Sequence, residues 1–277
     1  MAAAGRFLPP ALVDLGRHLL GRGIRFTGEF SSWAEACRRC DGYNDAAILE
    51  RVHAATLAIR DGRTAFGREA KIREAPQPPF PLLTMLLWAA LRQGGSLSVL
   101  DFGGALGSSY FLCRPYFSGI TRLSWTVVEQ AHFVDAGRRD FQDGILSFQH
   151  TLDDAWATSA PDLVLISGVL QYLPDPAGMV TQIVKRLPEF IVIDRTPLNL
   201  GGQDILAVQH VPAAMGRASY PVHLFGRNAL LSAIEQQYRL VAEFDAMDGV
   251  IGFGRHRSRF KGFGFVAAAP GRTENHG

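Results

Sequence analysis

The 277-residue chain is 47% hydrophobic and 19% charged, a globular composition whose length suits one large domain or a domain with a helical addition. A formal net charge of +2 lacks the strong basicity of a nucleic-acid binder, and no Lys/Arg block interleaved with aromatics appears. Three cysteines argue against a disulfide framework and for a reducing, cytoplasmic setting.

The opening stretch, MAAAGRFLPPALVDLGRHLLGRG, does not read as a signal peptide. Pro9 and Pro10 interrupt it, and Asp14, Arg17 and His18 break its apolar positions. No run of 18 apolar residues occurs, so no membrane span is expected. Leu12, Leu15, Leu19 and Leu20 share one helical face beside Arg17, Arg22 and Arg25. That face suits a helix packed on the body, or a basic interfacial helix resting on the inner membrane surface.

Residues 30–93 read as helical. Ser32 with Glu35 has the spacing of a capping box. Cys37 and Cys40 form a lone CRRC, a poor zinc or redox motif without a second pair or a preceding strand. Ile48, Leu49, Val52, Ala55 and Ile59 recur at helical intervals, and Gly62 ends that run. APQPPFP (75–81) reads as a stiff linker, and LLTMLLWAALRQGG as an apolar helix stopped by Gly94 and Gly95.

From Ser96 the pattern changes. LSVLDF, LSWTVVEQ, ILSFQH, DLVLISGV and EFIVIDRT are near-continuous apolar runs separated by helical stretches. They predict a parallel sheet covered on both faces. YRLVAEFDA and RFKGFGFVAA, with MDGVIGFGRHRS between them, predict an antiparallel pair at its edge. The fold class expected is α/β, Rossmann-like, with seven strands. The expected division is an N-terminal helical cap (1–93), a main domain (94–270) and a tail (271–277).

Ligands of an open parallel sheet bind beyond the carboxyl ends of its strands. VLDFGGALG lies at such an end, with Asp101 heading a turn rich in Gly103, Gly104 and Gly107, followed by Ser108. An acid there would repel a pyrophosphate but attract a sulfonium or ammonium group. The spacing therefore favours S-adenosylmethionine (SAM) over NAD. Glu129, ending the next strand ahead of Gln130, suits both ribose hydroxyls or a helix N-terminus. Asp153 or Asp154 is a candidate for an adenine amino group or a helix cap, and Trp156 for stacking on the ring. Ser167 and Gln171 in SGVLQYL are candidates for the methionine end, while Tyr172 reads as packing.

The blocks LDFGGALGSSYF, WTVVEQ, LQYLPDP, IDRTP and ASYP resemble those of a bacterial family of SAM-dependent class I methyltransferases, and GYNDAAILERV resembles its N-terminal block. The likeness covers about 30–265. It implies SAM as cofactor and, from the family's association with polysaccharide and lipopolysaccharide synthesis, a sugar-containing acceptor. One departure is Ala105, where class I enzymes generally carry glycine; its methyl group requires a negative φ to fit without strain.

For the acceptor, Asp194 is a candidate base or the partner of one, and equally half of a structural pair with Arg195. His210, Tyr220 and His223 are expected in a loop over the cleft, where either histidine suits proton removal at neutral pH. Arg195 and Arg217 are candidates for clamping a phosphate or carboxylate. No metal-ligand spacing and no G-x-S-x-G elbow is present. The function expected is SAM-dependent methyl transfer to oxygen on a glycan or related small molecule. The alternatives are an NAD(P)-dependent oxidoreductase and a non-catalytic scaffold of the same fold.

Overall fold

A computed structural model describes residues 24–41, 45–62, 78–212 and 218–268. The N-terminal leucine face, residues 75–77 of the Pro-rich stretch, Arg217 and the tail 271–277 lie outside the described residues.

The strands are β1 (Arg25–Thr27), β2 (Ser96–Phe102), β3 (Arg122–Val128), β4 (Leu146–Gln149), β5 (Leu163–Ser167), β6 (Phe190–Asn199), β7 (Ile205–Val211), β8 (Ala218–Leu224), β9 (Tyr238–Phe253) and β10 (His256–Ala267). The helices are α1 (Trp33–Cys37), α2 (Asp45–Arg60), α3 (Phe80–Arg92), α4 (Ser108–Cys113), α5 (Ala131–Asp140), α6 (Leu152–Thr158), α7 (Pro176–Val184) and α8 (Arg227–Glu235). Among the described residues no helix is long and apolar enough to cross a membrane.

Seven strands form one sheet in the order β4-β3-β2-β5-β6-β10-β9. The first five are parallel, and β10 and β9 close the edge antiparallel. This is the Rossmann-like sheet with an antiparallel edge pair that the apolar runs predict. Strand alternation splits its core cleanly. Leu97, Val99, Trp125, Val127, Leu163, Leu165, Phe190 and Val192 face α2, α3, α4 and α5. Leu100, Phe102, Val128, Val164, Ile166, Ile191 and Ile193 face α6, α7 and α8. Both faces are dry, which is why these strands lack a polar alternation.

Local signals account for several helix ends. Ser32 caps α1 by accepting from the Glu35 N–H at 3.3 Å, whereas the Glu35 carboxylate reaches back one residue further, to Ser31. Helix α3 begins at Phe80, inside the Pro-rich stretch, because Pro81 sits in the first turn where its missing N–H has no intrahelical partner to lose. Cys37 and Cys40 are free thiols, and burial pushes Cys40 up to about 11.

The path of the second half of the chain also departs from the sequence expectation. The stretch holding His210, Tyr220 and His223 is not a loop. It forms β7 and β8, which with β1 make a separate three-stranded antiparallel sheet in the order β1-β7-β8. Pro221 is tolerated because β8 is the edge of that sheet. The N-terminal region therefore contributes a strand as well as helices. MDGVIGFGRHRS, in turn, is not a simple connection: β9 and β10 continue through it to a tip at Gly254 and Arg255. Ile251 and Phe260 near that tip pack with Ile205 and Leu224 of the small sheet, against Phe26 and Ala246.

Close approach of α5 to β4 depends on Gly137. A Cβ there would lie 2.5 Å from the Phe148 ring. Gly137→Ala is expected to lower stability by about 1–3 kcal/mol through overpacking, measured by urea unfolding; an unchanged midpoint would show that the contact is slack.

Candidate functional site

Register and alternation place four polar side chains together. Asp101 shares the face of Leu97 and Val99, and it pairs across with Val127 of β3 and Leu165 of β5. One pleat further on the same face come Glu129 after β3, Ser167 ending β5 and Asp194 on β6, with Ser167 directly opposite Asp194. Gly103 occupies the corresponding place after β2, and its N–H donates to Val128 O at 2.9 Å. All four polar residues are buried. The carboxyl edge of β3-β2-β5-β6 thus carries three acids and a hydroxyl on one side. Cys113, ending α4, senses both ends of the group: burial first, then the Asp101 and Asp194 carboxylates, push its thiol up to about 12.

The turn after β2 is shaped by its own acid. Trp125 Nε1 donates to Asp101 Oδ2 at 3.2 Å. A Cβ on Gly104 would lie 2.5 Å from the Asp101 carboxyl carbon, so the glycine is required by the protein's own side chain. Gly107, at φ 82, ends the turn in the left-handed region as the N-cap of α4, whose first residue is the buried Ser108. Ala105 corrects the sequence expectation, because its φ is 52 and not negative. An alanine in that region carries about 1–2 kcal/mol of strain. Burial on all sides and the hydrogen bond of its N–H to Glu129 hold it there.

Glu129 gathers backbone donors. Its Oε2 accepts from the Gln130 N–H at 2.7 Å, and the Ala105 N–H also donates to it. Gln130 itself is the N-cap of α5, so its side chain stands at a helix start. Burial pushes Asp101 up to about 7, with the Trp125 N–H opposing. Burial also pushes Glu129 up to about 7, the Gln130 N–H opposing and the Asp101 charge adding to the rise.

Ser167 Oγ lies 3.5 Å from Asp194 Oδ2, and Asp194 Oδ1 accepts from the Arg195 N–H at 2.8 Å. Asp194 and Arg195 together oppose the single residue Gly262 of β10, a β-bulge in which Arg195 has φ 54. The Arg195 guanidinium makes a two-pronged pair with Asp248 of β9, Nε at 3.1 Å and Nη2 at 3.0 Å. Arg195 is therefore committed to a carboxylate of its own chain, which corrects its reading as an anion clamp. The wholly buried Gln171 donates from Nε2 to Gly168 O at 3.1 Å and to Arg195 O at 3.4 Å, and its Oε1 has no hydrogen-bond partner among the described residues. Tyr172 donates to Gln209, whose amide donates to the Tyr220 hydroxyl at 2.8 Å, so Tyr220 faces this chain of amides and phenols.

The other sequence candidates make contacts of their own. Asp153 pairs with Arg186, whose guanidinium stands 5.2 Å from the Trp156 ring centroid. Asp154 completes a cap with Thr151, accepting from its hydroxyl at 2.7 Å and returning its own N–H. Leu152, Ala155 and Trp156 of the same helix pack on the sheet face opposite to Leu97 and Val99. His210 Nε2 meets Thr27 Oγ1 at 2.8 Å across the β1–β7 pair. His223 is sandwiched between Trp33 and Phe225, and its Nε2 donates to Leu173 O at 3.1 Å. That leaves only Nδ1 for proton transfer, and burial holds this histidine below its ordinary value. Asp248, Trp125 and Gln209 are the participants that sequence reasoning missed. Asp248 reads as a turn residue in MDG, and only the strand pairing reveals its reach to Arg195.

In fold, the chain is similar to solved SAM-dependent methyltransferases. One from Clostridium acetobutylicum is 8% identical with a TM-score of 0.44, over 69% of this chain and 92% of its own. The N-terminal domain of EvdMO1, solved with SAH, is 17% identical with a TM-score of 0.47, over 82% of this chain and 98% of its own. Magnesium protoporphyrin IX methyltransferase from Synechocystis is 13% identical with a TM-score of 0.42, over 82% and 99%. No family model and no curated protein matches the sequence.

The folded protein holds the Asp101 and Glu129 protons up to about pH 7, whereas their ordinary values are 3.8 and 4.5. Their contribution to stability is therefore greatest below about pH 4 and declines as the pH rises through 7. Asp101→Asn, which keeps an acceptor for Trp125, is expected to raise the ligand-free melting temperature at pH 8 by about 4–8 °C and to change it little at pH 4. Melts at the two pH values check this; an equal loss at both would show that no buried charge is relieved.

Proposed function

We propose that this protein is a SAM-dependent methyltransferase acting on oxygen of a small acceptor such as a glycan. The observation that carries the reading is the pair of buried acids, Asp101 and Glu129, coupled to one another at the carboxyl ends of adjacent strands around a glycine turn. Buried carboxylates held near neutrality gain ionisation when a cation arrives, so the arrangement favours a positively charged ligand. The same acids would repel the pyrophosphate of a dinucleotide, which argues against the oxidoreductase reading.

When bound, SAM supplies a methyl group already activated by its sulfonium sulfur. The residues divide the remaining work. Glu129, fixed by two backbone N–H groups, has acceptor capacity left for ribose hydroxyls. Asp101 supports the turn from beneath and supplies negative charge to its surroundings. Asp194, fixed by the Arg195 N–H, is the base that takes the proton from an acceptor hydroxyl. The β5–β6 register sets that carboxylate opposite Ser167, and orientation accounts for much of the rate gain in a transfer of this kind. A glycan acceptor and a peripheral membrane contact through residues 1–23 extend this reading from the sequence.

Calorimetry tests the assignment. SAM is expected to bind in preference to NAD, and Glu129→Ala to weaken SAM and SAH by about 10- to 100-fold, the loss of hydrogen bonds to a charged group. A preference for NAD would restore the oxidoreductase. Affinity for SAM is expected to rise from pH 6 to pH 8 as the two acids ionise, and to rise more than affinity for SAH, which lacks the sulfonium charge. A pH-independent ratio would contradict the electrostatic role. Transfer of labelled methyl to an acceptor in a lysate of the source cell completes the test; binding without transfer would favour the scaffold.

A further inference from the structure

Helix α3 is apolar on every side. Its sequence is FPLLTMLLWAALR, with Thr84 the one polar residue before Arg92. A helix of that composition is covered all round in a folded protein. The described residues cover only part of it. Leu82, Leu83, Met85, Leu86, Ala89 and Ala90 are buried in the core cluster of Val99 and Val192. Phe80, Leu87 and Leu91 are 53%, 38% and 77% exposed, and Thr84 among them is exposed as well. These four stand at i, i+4, i+7 and i+11, one stripe along the helix. Tyr116 widens the stripe, its exposed ring edge-on to Phe80.

The chain holds a matching segment. Of the stretches outside the described residues, 42–44, 63–77, 213–217 and 269–277 have Tyr43, Phe66, Ile72 and Met215 as their only large apolar residues, no two of them three or four positions apart. Residues 1–23 carry Leu12, Leu15 and Leu19 at i, i+3 and i+7, with Leu20 beside them. Thr84, Leu87 and Leu91 have the same spacing. Helices whose apolar rows share such steps interlock side by side.

The point where the chain enters the described fold is also suited. The Gly95 N–H donates to Ala90 O where α3 turns into β2, so Leu91 lies at the amino edge of the large sheet and Phe80 toward its carboxyl edge. Met85 meets β10, where a Cβ on Gly264 would lie 2.5 Å from its Cε, and Trp88 stands edge-on to Phe190 of β6. Strand β1 sits beyond the carboxyl edge of those same strands. Its Phe26 packs with Ile251 and Phe260, and Phe260 pairs with Pro197 past the parallel part of β6. Phe26 also packs against the cluster that holds the buried side of α3. From Leu20 to Arg25 the chain spans at most about 17 Å.

We propose that the exposed stripe of α3 is the docking surface for residues 11–20 of the same chain. They lie on it as an antiparallel helix, Leu19 toward Phe80 and Leu12 toward Leu91. Asp14, Arg17 and His18 then face outward, on the side opposite the leucines. The leucine face serves the protein's own surface, and a membrane contact through residues 1–23 falls to the charges of Arg17 and Arg22. The docked helix also anchors the entry to β1, and through β1 the small sheet.

Hydrogen exchange of the full chain in lipid-free buffer, read peptide by peptide, tests this. Residues 12–20 are expected to exchange at least about tenfold more slowly than an unstructured chain, a protection that so short a helix does not reach alone in water. Leu87→Glu combined with Leu91→Glu is expected to abolish it while the amides of β5 stay protected. Leu91→Gln, at the most exposed position of the stripe, carries the comparison if the double variant does not fold. Four results overturn the proposal. Residues 12–20 exchange freely in the wild-type protein. Their protection survives the α3 variants, which places the leucines elsewhere. It arises only when vesicles of anionic phospholipid are added, which assigns the leucines to lipid. Or it grows with protein concentration as a dimer forms, which assigns the stripe to a second copy.

Discussion

Burying a carboxylate is unfavourable unless its charge is met or given up. This chain buries Asp101, Glu129 and Asp194 at one edge of one sheet, on one face. The rest of the site follows from how each is accommodated. Asp101 has an indole N–H and a turn whose Gly104 leaves room for it. Glu129 has two backbone N–H groups, from Gln130 and from an alanine in the left-handed region. Asp194 has the N–H of a bulged arginine, itself held by Asp248. None of the first two acids' partners is a full positive charge, so both remain near their neutralisation point, and a cationic ligand is the natural complement.

The two sheets divide the labour. The seven-stranded sheet supplies the acids through its parallel strand ends. The small β1-β7-β8 sheet is fastened beside it by the β9–β10 tip through Ile251 and Phe260, and by the Leu173 carbonyl that receives the His223 N–H. Asp248 lies on that same long hairpin, so the element joining the two sheets also neutralises Arg195 next to Asp194.

Much of the large sheet was legible because strands buried on both faces leave unbroken apolar runs, as in DLVLIS and EFIVID. Asp101 and Glu129 stood out as acids interrupting or ending such runs. The small sheet was hidden because β8 carries Pro221 and β7 and β8 carry histidines, a composition that reads as loop when the edge position of β8 is unknown. Asp153, Asp154 and Trp156 carry two readings in the sequence, because a helix cap and a surface cation contact use the same residue types as adenine recognition. The Arg195–Asp248 pair joins residues 53 apart through a bulge, which no local pattern announces. Gln171 reads in the sequence as facing the methionine end, and its bonds to the Gly168 and Arg195 carbonyls appear only in the folded chain.

The central claim is that a cation completes the buried acid pair. Carbon-13 NMR of the aspartate and glutamate carboxyl carbons, with resonances assigned through Asp101→Asn and Glu129→Gln, measures it directly. Ligand-free protein should show both groups titrating near pH 7, and saturation with SAM should carry both midpoints well down toward the ordinary carboxylate range. Midpoints that stay where they are once SAM is bound would contradict the account.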